Sequence, residues 1–179
     1  MTAIKGITLK NGSTLFVSEA EPEDADAMIR YLNVVGGETD FLTFGANEFW
    51  LSVEEETSFI RSVREKEKDI FLKGVIDGKI VSTLSLLRVD RPRIQHIGEL
   101  GVSVLADYWG LGVGRHMCEE AARQAKERGI TKIDLKVRED NDKAIRLYER
   151  LGYKREGVAS RAYLVRGSYF AQVLMGLEL

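Results

Sequence analysis

One stretch limits what this chain can fold into more than any other: Tyr108-Trp109-Gly110-Leu111-Gly112-Val113-Gly114-Arg115, set between a strand-like run and the start of a helix-like run. A helix N-terminus presents unpaired backbone N–H groups and a partial positive charge. Glycines let an anion approach that backbone with no Cβ in the way. The stretch therefore reads as a phosphate cradle in a fold that mixes strands and helices. A dinucleotide-binding turn shares some of these features, and Asp134 lies in a later strand, but the spacing fails. The pattern is G-x-G-x-G with Cys118 further into the helix, and only 65 residues follow Gly114 in the 179-residue chain.

The rest of the chain supplies alternating elements. Thr14 to Ser18 reads as a strand, and a helix follows from about Pro22 with Ala25, Met28, Ile29 and Leu32 on one face. Gly36-Gly37 is expected to stop it. After an irregular stretch containing Phe41, Phe44, Phe49 and Trp50, Ser52 and Glu55 make a capping box for a helix through Phe59, Ile60 and Val63. Ile70 to Ile76 and Lys79 to Val89 flank Asp77-Gly78, which favours a tight antiparallel hairpin. Ile97 to Leu105 is a further strand, and the glycine cluster leads into a helix carrying Met117, Ala121 and Ala125 that Gly129 ends. Ile133, Leu135 and Val137 alternate in a strand, Asn141 to Leu151 is a short helix, and two strands follow Tyr153, the last over Tyr169 to Leu177. With 44% hydrophobic residues, 179 residues fill one core, so a single domain over 1–179 is expected.

Composition excludes several classes of function. The chain has 26 basic against 28 acidic side chains, so no strong field draws phosphate backbones or anionic lipid, and neither nucleic acid nor membrane is expected as a partner. No signal-type apolar core stands at the amino terminus, and no run of about 18 apolar residues occurs, which points to a cytoplasmic protein. Cys118, His96 and His116 make no metal-ligand set, so no metal is expected. Cys118 lies among Met117, Ala121 and Ala122 and reads as core.

A second motif, Asn141-Asp142-Lys143-Ala144-Ile145-Arg146-Leu147-Tyr148-Glu149-Arg150-Leu151-Gly152-Tyr153, begins just after a strand. Together the two motifs resemble the GNAT family of N-acetyltransferases, whose pyrophosphate loop reads [Q/R]-x-x-G-x-[G/A] and whose later segment reads N-x-x-A-x-x-x-Y-x-x-x-G-[F/Y]. The later pattern matches at Asn141, Ala144, Tyr148, Gly152 and Tyr153. Trp109 departs from the Gln or Arg usual at the first loop position. The resemblance implies an α/β fold of the α+β type, with a central mixed, largely antiparallel twisted sheet of about seven strands, a splayed central pair and about four flanking helices. It implies acetyl-CoA as acyl donor, held at Trp109, Gly110, Leu111, Gly112, Val113, Gly114 and Arg115 through pyrophosphate contacts. Val102 and Val104 would pair with the pantetheine arm through their backbones, as with an added strand. Asn141, Ala144 and Tyr148 would complete the cofactor site.

The implied reaction is transfer of the acetyl group to a primary amine by direct attack in a ternary complex. The acceptor class stays open between a small amine, an amino acid and a protein N-terminus or lysine. An amine must shed a proton before it attacks, and the leaving thiolate must gain one. Tyr148 is the candidate acid, and Glu99, on the strand before Val102, the candidate base. His96 is the rival base, though strand parity puts it on the opposite sheet face. A backbone N–H near Leu100 to Val102 would receive the developing negative charge. Glu38, Thr39, Phe41, Phe44, Tyr163 and Tyr169 are expected to build a partly apolar acceptor pocket with one acidic contact. The alternative is a non-catalytic acyl-CoA-binding sensor. A homodimer is an option for either reading.

Overall fold

The computed structural model describes residues 5–179. Eight strands form one continuous sheet: β1 (Lys5–Thr8), β2 (Thr14–Glu19), β3 (Ile70–Ile76), β4 (Lys79–Arg88), β5 (Ile97–Val104), β6 (Lys132–Arg138), β7 (Lys154–Val165) and β8 (Ser168–Glu178). Their spatial order is β1-β2-β3-β4-β5-β6-β8-β7. Four α-helices flank the sheet: α1 (Ala25–Glu38), α2 (Val53–Glu65), α3 (Val113–Glu127) and α4 (Asp142–Arg150). The expected mixed, largely antiparallel sheet is present with one strand more than the reading had. β1 is a four-residue edge strand paired antiparallel with β2, too short to declare itself by alternation.

The sheet is antiparallel throughout except between β5 and β6. A parallel pair needs a crossover, and α3 supplies it. The parallel ladder runs only from Ile97↔Lys132 to Leu100↔Leu135. Beyond it β5 stays paired to β4 through Val104, and β6 to β8 through Arg138. The two central strands part there, so the β6-facing backbone of the end of β5 has no strand partner.

Two cores sandwich the sheet. On one face Val113, Met117, Cys118, Ala121 and Ala125 of α3 meet Leu72, Leu84, Leu100, Leu135 and other inward residues, joined by Ile145 and Tyr148 of α4. Burial of the Cys118 thiol, with Glu119 nearby, pushes it up to about 12, which suits the core role expected of it. On the other face Met28, Tyr31 and Val35 of α1 and Ile60 and Val63 of α2 pack with Phe71, Ile80 and Leu105. α2 packs on β3 and α1 on β4, α1 reaches β5 through the Tyr31 and Ser103 hydroxyls at 2.9 Å, and the segment after α1 lies over β6 and β8 through Phe41 and Asp40.

Local sequence explains most boundaries. Ser52 and Glu55 form the expected reciprocal capping box of α2. Asp77 and Gly78 both adopt positive φ, as a tight hairpin turn between β3 and β4 requires. The Gly36-Gly37 pair does not stop α1, which continues to Glu38. A Cβ on Gly36 would lie 2.5 Å from the Gly45 carbonyl oxygen, and one on Gly37 would lie 3.2 Å from Ala46 Cβ. These glycines are helical residues that allow the segment after the helix to fold back against it. Among the described residues no helix is long and apolar enough to cross a membrane, and no cluster of three or more His, Cys, Asp or Glu could hold a metal ion.

Candidate active site

The glycine-rich loop does what its sequence requires. Gly112 is the N-cap of α3 with φ 103, and no side chain caps this end. The first helical bond of the turn is His116 N–H to the Gly112 carbonyl at 3.1 Å, so the N–H groups of Val113, Gly114 and Arg115 have no intrahelical acceptor. A Cβ on Gly110 would meet nothing within 4 Å, and one on Gly112 would only touch His116. Orphan donors, an open approach and the positive end of a helix dipole together fit a phosphate group. The Arg115 side chain turns away and pairs with Glu119 at 2.9 Å, leaving its backbone as the group facing the loop.

Trp109 has a definite task. Its indole N–H donates to the Val104 carbonyl at 2.7 Å, and Lys143 Nζ stands 5.8 Å from the ring centre. Leu105 N–H donates to Val81 of β4. By strand alternation Leu100, Val102 and Val104 therefore turn their backbone groups toward the gap. Val102 keeps both of its groups for an added strand, whereas the carbonyl of Val104 is already taken by Trp109.

A cavity of about 1100 Å³ opens at this gap and passes to the other face of the sheet, lined by Val102, Asn141, Ala144 and Tyr148 on one side and by Phe41 and Phe44 on the other. Asn141 is the N-cap of α4, its Oδ1 accepting from Ala144 N–H at 3.2 Å, which leaves its amide N–H₂ to donate. Tyr148 is 8% exposed and packs against Tyr153 with ring centres 5.7 Å apart. Burial raises the Tyr148 phenol well above its ordinary value of 10.0. The group therefore keeps its proton at neutral pH. Glu99 also lines the cavity, on the opposite face, and both of its oxygens accept from Lys136 Nζ at 3.0 Å. His96, just before β5, is exposed and does not line the cavity.

The acceptor side is partly as expected. Thr39, Phe41, Phe44 and Tyr163 line the cavity. Glu38 does not: its carboxylate accepts from Ala106 N–H at 2.7 Å and caps the turn after β5. Tyr169 does not either; it is 54% exposed, with Arg161 stacked over its ring at 4.3 Å. Both belong to neighbouring elements but face away, which chain position alone could not show.

Sequence reading passed over two residues that the fold places here. Arg138 is 6% exposed on its side chain and sandwiched between the rings of Phe41 and Phe170, at 4.4 and 4.3 Å. It holds Asp140 through two bonds and donates to the Asp40 carbonyl at 2.7 Å. Arg166, in the turn between β7 and β8, pairs with the Asp40 carboxylate at 3.0 Å. Together they pin the segment after α1 over the open face of β6 and β8. The other is Glu56, a cavity-lining carboxylate on the inward stripe of α2, 2% exposed. A charge at i with Ile60 at i+4 and Val63 at i+7 was visible in the sequence as an acid on an apolar face.

The sequence profile of the Acetyltransferase (GNAT) family matches residues 38–153. The chain is similar to an acetyltransferase of the GNAT family from Streptococcus pneumoniae, 32% identical, with 92% of this chain and 99% of that one superposed at a TM-score of 0.90. An acetyltransferase from Salmonella typhimurium, solved with its cofactor acetyl-CoA, shares the fold at a TM-score of 0.81 and 18% identity over 93% of this chain and 95% of that one. In sequence the chain is 29% identical over 99 residues to the L-amino acid N-acetyltransferase AaaT of Escherichia coli, a match covering 55% of this chain and 61% of that protein's length.

Proposed function

The chain belongs to the GNAT acetyltransferase family, and from that premise we propose that it transfers the acetyl group of acetyl-CoA to a primary amine by direct attack within a ternary complex. The observation that carries this reading is the early end of the β5–β6 ladder at Leu100↔Leu135. It opens a passage through the sheet lined by Val102 and Tyr148, with the first turn of α3 beside Val104.

In this reading the N–H groups of Leu111 to Arg115 hold the pyrophosphate, Gly110, Gly112 and Gly114 keep its approach clear, and Trp109 fixes the loop to β5. The Val102 carbonyl and the N–H of Val104 hold the extended arm, with Asn141 and Ala144 on its other side. Acetyl-CoA, when bound, supplies the activated thioester. The amine nitrogen forms a bond to the thioester carbonyl carbon and the carbon–sulfur bond breaks. The leaving sulfur takes the proton of Tyr148, and the proton lost by the amine goes to Glu99, whose carboxylate Lys136 holds in place. The Val102 N–H, directed into the gap, receives the charge that develops on the carbonyl oxygen. Thr39, Phe41, Phe44 and Tyr163 form the acceptor side.

Coenzyme release measured with a panel of amines and peptides tests the reading. Release that depends on the amine, and that Glu99→Gln slows, is the expected result. Tight acetyl-CoA binding without release to any amine would leave a binding module instead.

A further inference from the structure

The cavity holds one buried acid that its own walls do not answer. Its three cations are each engaged by a carboxylate: Lys136 by Glu99, Arg138 by Asp140 and Arg166 by Asp40. Among its acids, Glu48 is exposed and accepts from Gly45 N–H at 2.7 Å. Glu56 differs. It is buried at 2% exposure, its Oε1 has no hydrogen-bond partner, and among the described residues no cation pairs with it. Its neighbours on α2 are Phe59 and Ile60, and Phe59 meets Phe71 edge-on at 5.6 Å. Burial raises the Glu56 carboxyl above its ordinary value of 4.5. A carboxylate left unpaired among apolar groups is costly, and a Leu or Met of similar size would remove the cost. Its position in the wall of a cavity built for a cationic acceptor offers the missing partner.

The position of Glu56 also separates it from the reacting centre. α2 packs on β3. Phe71, Ser85 and Gly101 are direct partners across β3, β4 and β5, so the strand beneath α2 lies two strand spacings, on the order of 10 Å, from the strand whose free edge borders the passage. The intervening floor is open, because Gly101 has no side chain and a Cβ there would meet only the Ser85 hydroxyl at 3.5 Å. A nitrogen held by Glu56 is thus not the nitrogen that meets the thioester.

We propose that the acceptor is an aliphatic amine with two cationic nitrogens joined by an apolar spacer, and that Glu56 pairs with the one that does not react. This rests on the acetyltransferase reading of the site and names its substrate class. It also disfavours a free amino acid, since no cation in the cavity is left to receive an α-carboxylate.

The test is calorimetric binding of hexamethylenediamine, hexylamine and leucine to the coenzyme A-loaded chain and to its Glu56→Gln variant, which keeps the side-chain shape. The parent should bind the diamine about tenfold or more tighter than hexylamine, and leucine weakest. Glu56→Gln should bring the diamine down to the level of hexylamine, about tenfold or 1.4 kcal/mol, while acetyl-CoA affinity, the control for an intact fold, holds. At equal concentration the diamine should raise the Tm of the parent more than that of Glu56→Gln. Equal affinities for diamine and hexylamine in the parent, an undiminished diamine affinity in Glu56→Gln, or a preference for leucine would each overturn the assignment. Because binding is read without turnover, diamine binding with no coenzyme release overturns the transferase reading alone. Turnover of hexylamine with no diamine preference overturns the Glu56 assignment alone.

Discussion

At the scale of single residues, the site works by contrast between buried groups that hold protons and exposed groups that hold each other. Tyr148 keeps its phenolic proton because burial disfavours the phenolate, and it lines the passage, where the proposed reaction has it donate that proton. Tyr148→Phe should therefore lower kcat by about tenfold or more with little change in acetyl-CoA affinity, as kinetics paired with a binding titration will show. Glu56 is a second buried acid with a different signature. Its folded form holds a proton that the unfolded chain gives up near 4.5, so its contribution to stability is present below that pH and is lost as pH rises through the higher folded value. Glu56→Gln has no such titration. The Tm of the variant minus that of the parent should grow as pH rises above about 4.5, reaching roughly 2–4 °C for each kcal/mol relieved; a difference flat with pH would mean that Glu56 does not titrate differently on folding. Tyr148 was legible because a motif carried it. Glu56 was harder to read, because it is one of three consecutive glutamates, Glu54 to Glu56, in the first turn of α2, and only its spacing to Ile60 and Val63 sets it on the inward stripe.

At the scale of elements, the turn between β5 and α3 joins two requirements. Gly112 must adopt φ 103 and must keep the helix end open, and valine satisfies neither. Gly112→Val should weaken acetyl-CoA binding by about two orders of magnitude, roughly 3 kcal/mol, with circular dichroism unchanged. At Trp109 the side chain acts through one N–H to the Val104 carbonyl. A Gln amide offers a donor of similar reach, so Trp109→Gln should cost only a few-fold, and Trp109→Leu, which has no donor, about tenfold. Calorimetric titration of the three variants checks both statements. Most elements could be read from the chain: the Asp77-Gly78 hairpin, the helix capped at Ser52, and the strand, glycine turn and helix around Gly112. The Gly36-Gly37 pair could not, because glycine both ends helices and admits close neighbours, and only the tertiary approach of Gly45 decides between them. The facing of Glu38 and Tyr169 was hidden for the same reason.

At the scale of the molecule, the loops over β6 and β8 are held to the sheet by few side chains, and Arg138 is the buried one. Its stacking between Phe41 and Phe170 and its paired bonds to Asp140 need a planar, forked cation. Arg138→Leu should raise the acceptor KM about tenfold while acetyl-CoA affinity changes less than about twofold. Arg138→Lys should not restore it; a KM equal to that of the parent in either variant would show that the segment over the passage is held without this residue. The passage has a further consequence for the order of events. It is open to two faces of one sheet, with α3 and α4 on one side and the loop bearing Phe41 and Phe44 on the other. For the proposed reaction this means traffic in two lanes: donor and acceptor would arrive from opposite directions, neither would have to leave before the other enters, and no residue of the wall would be needed to carry the acetyl group between visits.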